Sequence, residues 1–295
     1  MEKFYNTICV TDKGLENITI DEIKNILNKD VEYKKLEKNN KVYIFLNLDF
    51  EERLKLLYLS RTIDKIYKIE GNKEIFLLKN LYDRKYEIKK IKKLKSTFVL
   101  KILIFSNIKE DENILNLQDD GSFSIEEGLL LKNIPPMFFR KREILEYSSL
   151  LEKFENIKDK IKGKIYCVNQ DKDLLYSIEK NAEKALVSNI IYFRGINIEW
   201  IDLKFKEEFI DKIFTFRIKK DEELNKKDKY IFFHSNKLLK KNGKLFLLLY
   251  NKKENYEKIL LDIESYIKKY NLRIIENIIL YHGNKKLLLV VIQKV

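Results

Sequence analysis

The sequence predicts an α/β protein in which a small α+β unit precedes a larger sheet of mainly parallel strands. Residues 5–70 show the order strand, helix, strand, strand, helix, strand, and from residue 129 onward strands alternate with long amphipathic helices. A chain of 295 residues is long enough for two folded modules. We divide it into 1–72, 73–121 and 122–295, with a basic region and linker in the middle.

The order of elements in the N-terminal unit is that of a ferredoxin-like fold. Its expected strands are Tyr5–Val10, Glu32–Leu36, Lys41–Asn47 and Ile63–Ile69, and its expected helices are Leu15–Leu27 and Phe50–Leu59. Apolar residues recur at helical spacing in both helices, and Asp49 is a candidate N-cap of the second.

The middle segment contains a basic run and then an apolar run. The basic side chains that we single out are Arg84, Lys85, Lys89, Lys90, Lys92 and Lys93. Lysines at this density are compatible with a phosphate-binding face and equally with the solvated face of a helix. The apolar run Phe98–Phe105 is predicted to be a strand, and the polar stretch Asn107–Gly121 a linker.

The C-terminal part is predicted to form a parallel sheet with helices on both faces, closed by an antiparallel hairpin. The expected strands are Lys164–Val168, Ile190–Phe193, Lys212–Arg217, Lys244–Tyr250, Arg273–Tyr281 and Lys286–Gln293. The expected helices are Asp173–Leu186, Tyr230–Lys240 and one from Tyr256 to Ile267. The turn His282-Gly283-Asn284 joins the last two strands.

Composition and charge indicate which partners, compartment and metal sites to expect. A net charge of +13 favours a polyanionic partner such as nucleic acid, although the abundance of Lys, Ile and Asn is also typical of an AT-rich genome. The apolar runs are too short to cross a membrane and no signal peptide is recognised, so we expect a cytoplasmic protein. The two cysteines and two histidines have no metal-site spacing.

Four stretches, taken in order, carry a family resemblance. They are Gly14-Leu15-Glu16 with Asp21-Glu22, then Ser60-Arg61-Thr62-Ile63-Asp64, then Asn169-Gln170-Asp171 with Glu179-Lys180-Asn181, and finally Asn242-Gly243 with Gly283-Asn284. In this order the chain resembles class I S-adenosylmethionine-dependent RNA methyltransferases that carry an N-terminal THUMP region and modify guanine N2 in tRNA or rRNA. The resemblance implies a THUMP-like first region, here cut short, and a Rossmann-like methyltransferase sheet.

The resemblance also implies a cofactor loop of the Pro-Phe-Cys-Gly-Ser-Gly type after the first strand of that sheet. Glycines allow the backbone amides of such a loop to approach the cofactor, at a helix N-terminus that favours its carboxylate. If Leu129–Leu131 is the first strand, the loop is Asn133-Ile134-Pro135-Pro136. Two prolines offer no N–H group. This loop is therefore not expected to hold the cofactor.

Three further positions bear on cofactor and substrate binding. The family has an Asn-Pro-Pro-Tyr type motif where this chain has Thr215-Phe216-Arg217, so the acceptor for an exocyclic amine is missing. An Asp that would contact adenine is replaced by Ile196. Asn169 and Asp171 keep positions from which they can contact a ribose, although Asp171 is better explained as a helix N-cap.

The sequence therefore predicts an RNA-binding protein that has lost its cofactor site and catalytic motif, with tRNA or rRNA and an active methyltransferase subunit as expected partners. The expected RNA contacts are the six basic side chains above together with Arg140, Lys141 and Arg142. The alternative is an active methyltransferase with a non-standard cofactor loop, which would bind S-adenosylmethionine. A decayed protein of a reduced genome is a weaker third interpretation, because hydrophobic periodicity persists in every element.

Overall fold

The N-terminal unit is an antiparallel sheet with two helices. The computed structural model describes residues 5–71, 73–78, 94–219 and 225–295. The strands are β1 (Thr7–Asp12), β2 (Tyr33–Lys38), β3 (Lys41–Leu46), β4 (Lys65–Glu70) and β5 (Lys73–Leu78), in the order β2-β3-β1-β4-β5, and the helices are α1 (Glu16–Leu27) and α2 (Phe50–Leu59). The ferredoxin-like order is confirmed. Asp49 caps α2, accepting a hydrogen bond from the Glu52 amide at 2.8 Å.

The second sheet has seven strands and confirms the Rossmann-like fold. It contains β6 (Asn113–Leu117), β7 (Lys164–Asn169), β8 (Ile191–Gly195), β9 (Ile210–Lys219), β10 (Leu239–Asn251), β11 (Leu272–His282) and β12 (Lys285–Lys294), in the order β11-β12-β10-β9-β6-β7-β8. Strands β6 to β10 are parallel, and β12 runs antiparallel to both of its neighbours, β10 and β11. The terminal hairpin is therefore part of the sheet, as predicted.

The described residues contain six further helices, of which the short helix Ser148–Glu152 packs its Leu151 into the core of the N-terminal unit. They are α3 (Ser96–Phe105), α4 (Ser122–Leu131), α5 (Ser148–Glu152), α6 (Lys172–Lys184), α7 (Lys226–Leu238) and α8 (Tyr256–Ile267). Short 3-10 helices occupy Phe138–Tyr147, Ser188–Ile190 and Ile198–Leu203. Within the described ranges, no helix is long and apolar enough to span a bilayer.

Three sequence-based assignments between the two sheets are wrong. Phe98–Phe105 lies in helix α3 rather than in a strand, and Leu129–Leu131 is the end of helix α4. The first strand of the larger sheet is β6, inside the stretch 107–121 that was expected to be a linker. Residues 96–103 are all buried, so this part of α3 has no solvent-exposed face and its exposure does not alternate with a 3.6-residue period. A short apolar run does not distinguish a buried helix from a buried strand.

The stretches Asp21-Glu22 and Ser60-Arg61-Thr62 meet in space. The Glu22 carboxylate accepts hydrogen bonds from the Ser60 hydroxyl (2.7 Å), the Arg61 amide (2.7 Å) and both the amide and the hydroxyl of Thr62 (3.1 and 2.6 Å). These donors follow α2, so one side chain of α1 fixes the turn that leads into β4. The contact explains why an acidic residue on α1 accompanies a Ser-Arg-Thr turn in this sequence.

A buried charge cluster joins the N-terminal sheet to α3. Lys41 forms ion pairs with Asp12 and, at 2.5 Å, with Asp64, which also accepts a hydrogen bond from the Thr97 hydroxyl at 2.5 Å. The ammonium group of Lys101 is buried beside them without a hydrogen bond. Burial lowers the pKa of Lys101, while Asp64 and Asp12 oppose that effect. The cluster adds a polar connection to the apolar packing of Leu15 in the core that contains α3.

The terminal hairpin contacts both the start of α3 and the N-terminal unit. The His282 ring accepts a hydrogen bond at Nε2 from the Lys95 amide (3.1 Å) and lies 5.0 Å from the Phe98 ring. A side chain at Gly14 would place its Cβ 2.9 Å from the Ile279 carbonyl oxygen, and Gly14 has φ +113°. Glycine at this position therefore allows the β1–α1 turn to approach β11.

Acid is expected to weaken this contact. Burial, together with the Lys95 and Lys285 charges, lowers the pKa of His282 to about 4, although Asp12 and Asp64 act in the opposite sense. An unfolded histidine titrates near pH 6.5, so between these values the unfolded chain binds more protons. The stabilisation is complete above about pH 6.5 and is lost as the pH falls towards 4. We expect this histidine to contribute about 1–2 kcal/mol to the free energy of unfolding above pH 6.5, allowing for solvent screening of the partly exposed ring.

Urea denaturation of the wild type and of His282→Gln between pH 4 and pH 7.5 measures this contribution. Glutamine can still accept the Lys95 hydrogen bond but does not titrate in this range. The wild type should lose more stability than the variant on acidification, and parallel pH profiles would contradict the assignment.

Candidate functional site

The carboxyl ends of β6 and β9 form the crevice at which a ligand is expected. From β6 the chain proceeds to β7 and β8 on one side and then returns to place β9 on the other side of β6. In open parallel sheets, ligands bind where the strand order reverses in this way. The loop from Gln118 to Gly121 leaves β6 at this point and leads into α4.

The N-terminus of α4 already holds carboxylates of this chain. The Asp119 carboxylate accepts hydrogen bonds from the amides of Phe123 (3.2 Å) and Ser124 (3.0 Å). Asp120 accepts from the amide of Ser122 at 3.1 Å and from its hydroxyl. Free amides at a helix N-terminus attract anions, and here they are satisfied from within the chain. Burial and the nearby Asp120 raise the pKa of Asp119.

Aromatic rings fill the space below this loop. Phe123 stacks on Phe214 with ring centroids 5.4 Å apart, and Phe214 stacks on Phe246 at 4.8 Å. All three rings are buried. The cavity that remains between the loop and the end of β9 measures about 20 Å³. A cavity of this size holds about one water molecule.

Asn169 and Asp171 lie at the end of β7, beside the loop. The Asn169 amide donates to the Asp119 carbonyl (2.8 Å) and its side-chain oxygen accepts from the Asp171 amide (2.9 Å). The Asp171 carboxylate accepts from the Leu174 amide at 3.0 Å and caps α6, so the predicted N-cap is confirmed. Both side chains support the backbone here. Their roles toward a ribose stay predictions.

The other wall of the crevice is formed by the C-terminal half of β9, which contains Thr215, Phe216 and Arg217. The Thr215 hydroxyl donates to the Leu117 carbonyl at 3.0 Å. Arg217 donates to Gln118 in the loop and forms an ion pair with Asp228 of α7 at 3.2 Å. These contacts fasten β9 to β6 and to the loop. A role of these three residues toward a base stays a prediction.

A second group of polar side chains lies behind the loop, inside the core. The buried Asn116 amide donates to the Ser124 hydroxyl (3.0 Å) and to the Glu127 carboxylate (2.6 Å). Burial raises the pKa of Glu127 well above its usual range. Burial likewise raises the pKa of the Cys167 thiol, with Asp119 adding to the effect. These groups are enclosed and do not reach the crevice.

The predicted RNA contacts are only partly within the described residues. Arg84, Lys85, Lys89, Lys90, Lys92 and Lys93 lie outside them. Arg140 is buried and binds Glu143 (Nε to Oε1 3.0 Å), Lys141 pairs with Glu155 at 2.5 Å, and Arg142 is exposed. Two of these three cations are therefore already paired, and RNA contact by any of them stays a prediction. Among the described residues, no group of three His, Cys, Asp or Glu side chains is arranged for a metal ion.

A family model matches the part of the chain that contains strands β6 to β10. The family model for the RMKL-like methyltransferase domain matches residues 84–260, more than half of the chain. The chain belongs to this family. A comparison with the curated proteins finds no match.

Several solved structures share the fold of this chain over almost its whole length. TrmN from Thermus thermophilus is 11% identical with a TM-score of 0.67, covering 99% of this chain and 100% of that one. A possible methylase from Clostridium difficile 630 is 14% identical with a TM-score of 0.69 and coverages of 98% and 97%. SMU.472, solved with bound SAH, is 13% identical with a TM-score of 0.68 and coverages of 99% and 98%. At these identities the similarity establishes the fold.

Among the residues that the structure describes, the side chains at the crevice leave a cavity too small for S-adenosylmethionine. Pockets for ligands of this size measure about 300–1,000 Å³, whereas the cavity beside Phe123 measures about 20 Å³. The amides that would receive the cofactor's carboxylate are bonded to Asp119, another anion.

Placing β6 correctly also changes which residues form the cofactor loop. Gly121-Ser122-Phe123 follows β6, so the resemblance implies the family's Gly-Ser-Gly here and not in the segment around Pro135-Pro136. Gly121 has φ +84°, a conformation that suits glycine. The explanation based on two prolines was therefore wrong, because Leu129–Leu131 is helical. Phe123 stands where the resemblance implies a glycine. The signal was present in the sequence as a short apolar strand, an Asp-Asp-Gly-Ser turn and a helical run.

Proposed function

We propose that this member of the RMKL-like methyltransferase family binds RNA through a fold whose cofactor crevice is closed, and does not transfer methyl groups. The observation that carries the proposal is the occupation of the crevice by the chain itself. Asp119 holds the helix N-terminal amides and Phe123 fills the volume that a glycine would leave open. The Asp119 carboxylate takes the hydrogen-bond donors that a cofactor carboxylate would need, and the Phe123 ring takes up space that a cofactor would need.

RNA is the proposed partner on two grounds. The net charge of +13 favours a polyanion, and a phosphate backbone is the commonest polyanion that such proteins meet. The sequence also resembles THUMP-containing enzymes that modify tRNA or rRNA. An active methyltransferase subunit that uses this chain to hold its RNA is a further proposed partner.

An active methyltransferase is the second candidate. Its support is the turn at Gly121, where φ +84° and the following Ser122 preserve the backbone of a cofactor loop. Activity would require Phe123 to leave its stack on Phe214 and the Asp119 carboxylate to leave the α4 amides. Each change breaks contacts that are made in the buried core.

The test measures cofactor and RNA binding on the same purified chain. Calorimetry with millimolar S-adenosylmethionine should give no binding heat, and the cofactor should not raise the melting temperature, because a ligand that binds only the native state would stabilise it. Fluorescence anisotropy with a labelled tRNA transcript should show binding, with a dissociation constant of about 1–100 μM that weakens steeply with salt.

The two readouts separate the candidates. Cofactor binding with a rise in melting temperature would replace the proposal by the active enzyme. A chain that binds neither ligand, while melting cooperatively, would overturn RNA binding as well. A DNA duplex of equal length serves as the control for purely electrostatic attraction.

A further inference from the structure

A second cavity lies on the face of the larger sheet beside its edge strand β8. It is lined by Tyr166, Arg194, Lys204, Phe205, Lys206 and Phe209 and measures about 370 Å³. Parallel sheets are normally covered by helices on both faces. Here the connection from β8 to β9 contains the six-residue 3-10 helix Ile198–Leu203 and then a loop. The short connection leaves part of this face open.

The walls of this cavity, which we term the β8 pocket, are aromatic. Tyr166 of β7 lies 5.0 Å from the Phe205 ring at an interplanar angle of 90°, and 6.1 Å from Phe209. Tyr192 of β8 continues the ring cluster at 5.4 Å from Tyr166 and is 38% exposed. Aromatic rings that reach solvent can stack on a planar ligand such as a nucleobase.

The rim of the β8 pocket carries three exposed cations, Arg194, Lys204 and Lys206. Arg194 donates to the neighbouring Phe193 carbonyl at 3.4 Å, and within the described ranges none of the three forms an ion pair with a carboxylate. The acids on the same connection are engaged elsewhere, since Glu207 pairs with Lys237 (3.6 Å) and Glu208 with Lys294 (3.0 Å). The pocket therefore has a local excess of positive charge.

We propose that the β8 pocket binds one nucleotide of a single-stranded RNA segment, with the base against the aromatic rings and the adjoining phosphates on the three cations. Stacking and backbone charge are the two contributions that hold single-stranded nucleic acids without reading their sequence. The volume suits one nucleotide, and the site is separate from the closed crevice at the carboxyl ends of β6 and β9. The inference rests on the proposed RNA binding and adds its location.

The experiment compares charge removal at the pocket with equal charge removal elsewhere. The first variant is Arg194→Gln/Lys204→Gln/Lys206→Gln, and the matched control is Lys34→Gln/Lys241→Gln/Lys268→Gln, also three exposed cations. A labelled ten-nucleotide single-stranded RNA is titrated by anisotropy over a range of KCl concentrations. The logarithmic salt slope should fall by about 2 for the pocket variant, because each phosphate contact contributes about 0.7, and should change little for the control.

Two more measurements address the ring contact. Phe205→Leu keeps an apolar side chain but removes the ring, and should weaken RNA binding about tenfold without changing the salt slope. Trp200, the single tryptophan, precedes Lys204 on the same connection and is 58% exposed. Its fluorescence should change on RNA addition to the wild type and less in the pocket variant.

Each contrary result has a distinct meaning. If both triple variants bind RNA with equal salt slopes, RNA does not bind at the β8 pocket, but the proposed function as an RNA-binding protein is unaffected. No RNA binding by the wild type would overturn both. Saturable binding of uridine monophosphate as tight as that of the oligonucleotide would assign the pocket to a free nucleotide instead. A change of oligomeric state in the pocket variant, with unchanged RNA affinity, would make this face a protein interface.

Discussion

Phe123→Ala should lower the free energy of unfolding by about 3–5 kcal/mol, the range for deleting a buried phenylalanine ring. Phe123 is 3% exposed and stacks on Phe214 in the centre of the larger core. The surrounding strands belong to one sheet and cannot collapse fully into the space that the ring leaves. Urea denaturation of the variant, followed by circular dichroism, measures the loss.

The matched control is Phe233→Ala on α7, where the ring is 39% exposed and the expected loss is below about 1 kcal/mol. Cofactor binding should not return in Phe123→Ala, because Asp119 still occupies the α4 amides. Equal losses in the two variants would show that Phe123 does not support the core. Cofactor binding by Phe123→Ala would show that volume alone closes the crevice.

Glu22→Ala should destabilise the fold by about 3–4 kcal/mol. Its carboxylate accepts four hydrogen bonds from the turn that follows α2, and hydrogen bonds to a charged group contribute about 1.5–3 kcal/mol each without adding fully. Removal leaves the Arg61 and Thr62 amides without this acceptor at a partly buried position. Chemical denaturation at pH 7 measures the effect.

Asp21→Ala is the control for charge, since this neighbouring carboxylate is exposed and its loss should change stability by less than about 0.5 kcal/mol. The loss of stability in Glu22→Gln should lie between the losses in Glu22→Ala and Asp21→Ala, because the single amide oxygen of glutamine accepts fewer of the four hydrogen bonds. A loss below about 1 kcal/mol in Glu22→Ala would mean that the turn is held by its surroundings and not by this carboxylate.

Sequence reasoning succeeded where one face of an element is polar. In the N-terminal unit each helix shows apolar residues at helical spacing, and α2 has its Asp49 capping box. The alternating strands and helices from β7 to β12 were also placed correctly. In these elements water contact on one side leaves a periodic pattern in the sequence, and that pattern identifies the element without knowledge of its neighbours.

The same reasoning failed in the stretch from α3 to α4. Every residue from 96 to 103 is buried, so the pattern that distinguishes helix from strand is absent. Reading that run as a strand moved the start of the larger sheet to Leu129–Leu131, which is the end of α4. The loop after β6 was then taken for a linker, and the residues that fill the crevice were missed.

The sequence by itself determined the class of fold, most of its elements and the family resemblance, because these follow from local periodicity, caps and turns. Only the tertiary structure decided what occupies the two functional surfaces. Asp119, Phe123 and Arg217 close the crevice through contacts between β6, β9 and the N-terminus of α4, elements that meet only when the sheet assembles. The β8 pocket likewise joins β7, β8 and the loop before β9. Contacts between distant segments leave no local pattern, so the folded sheet alone brings them together.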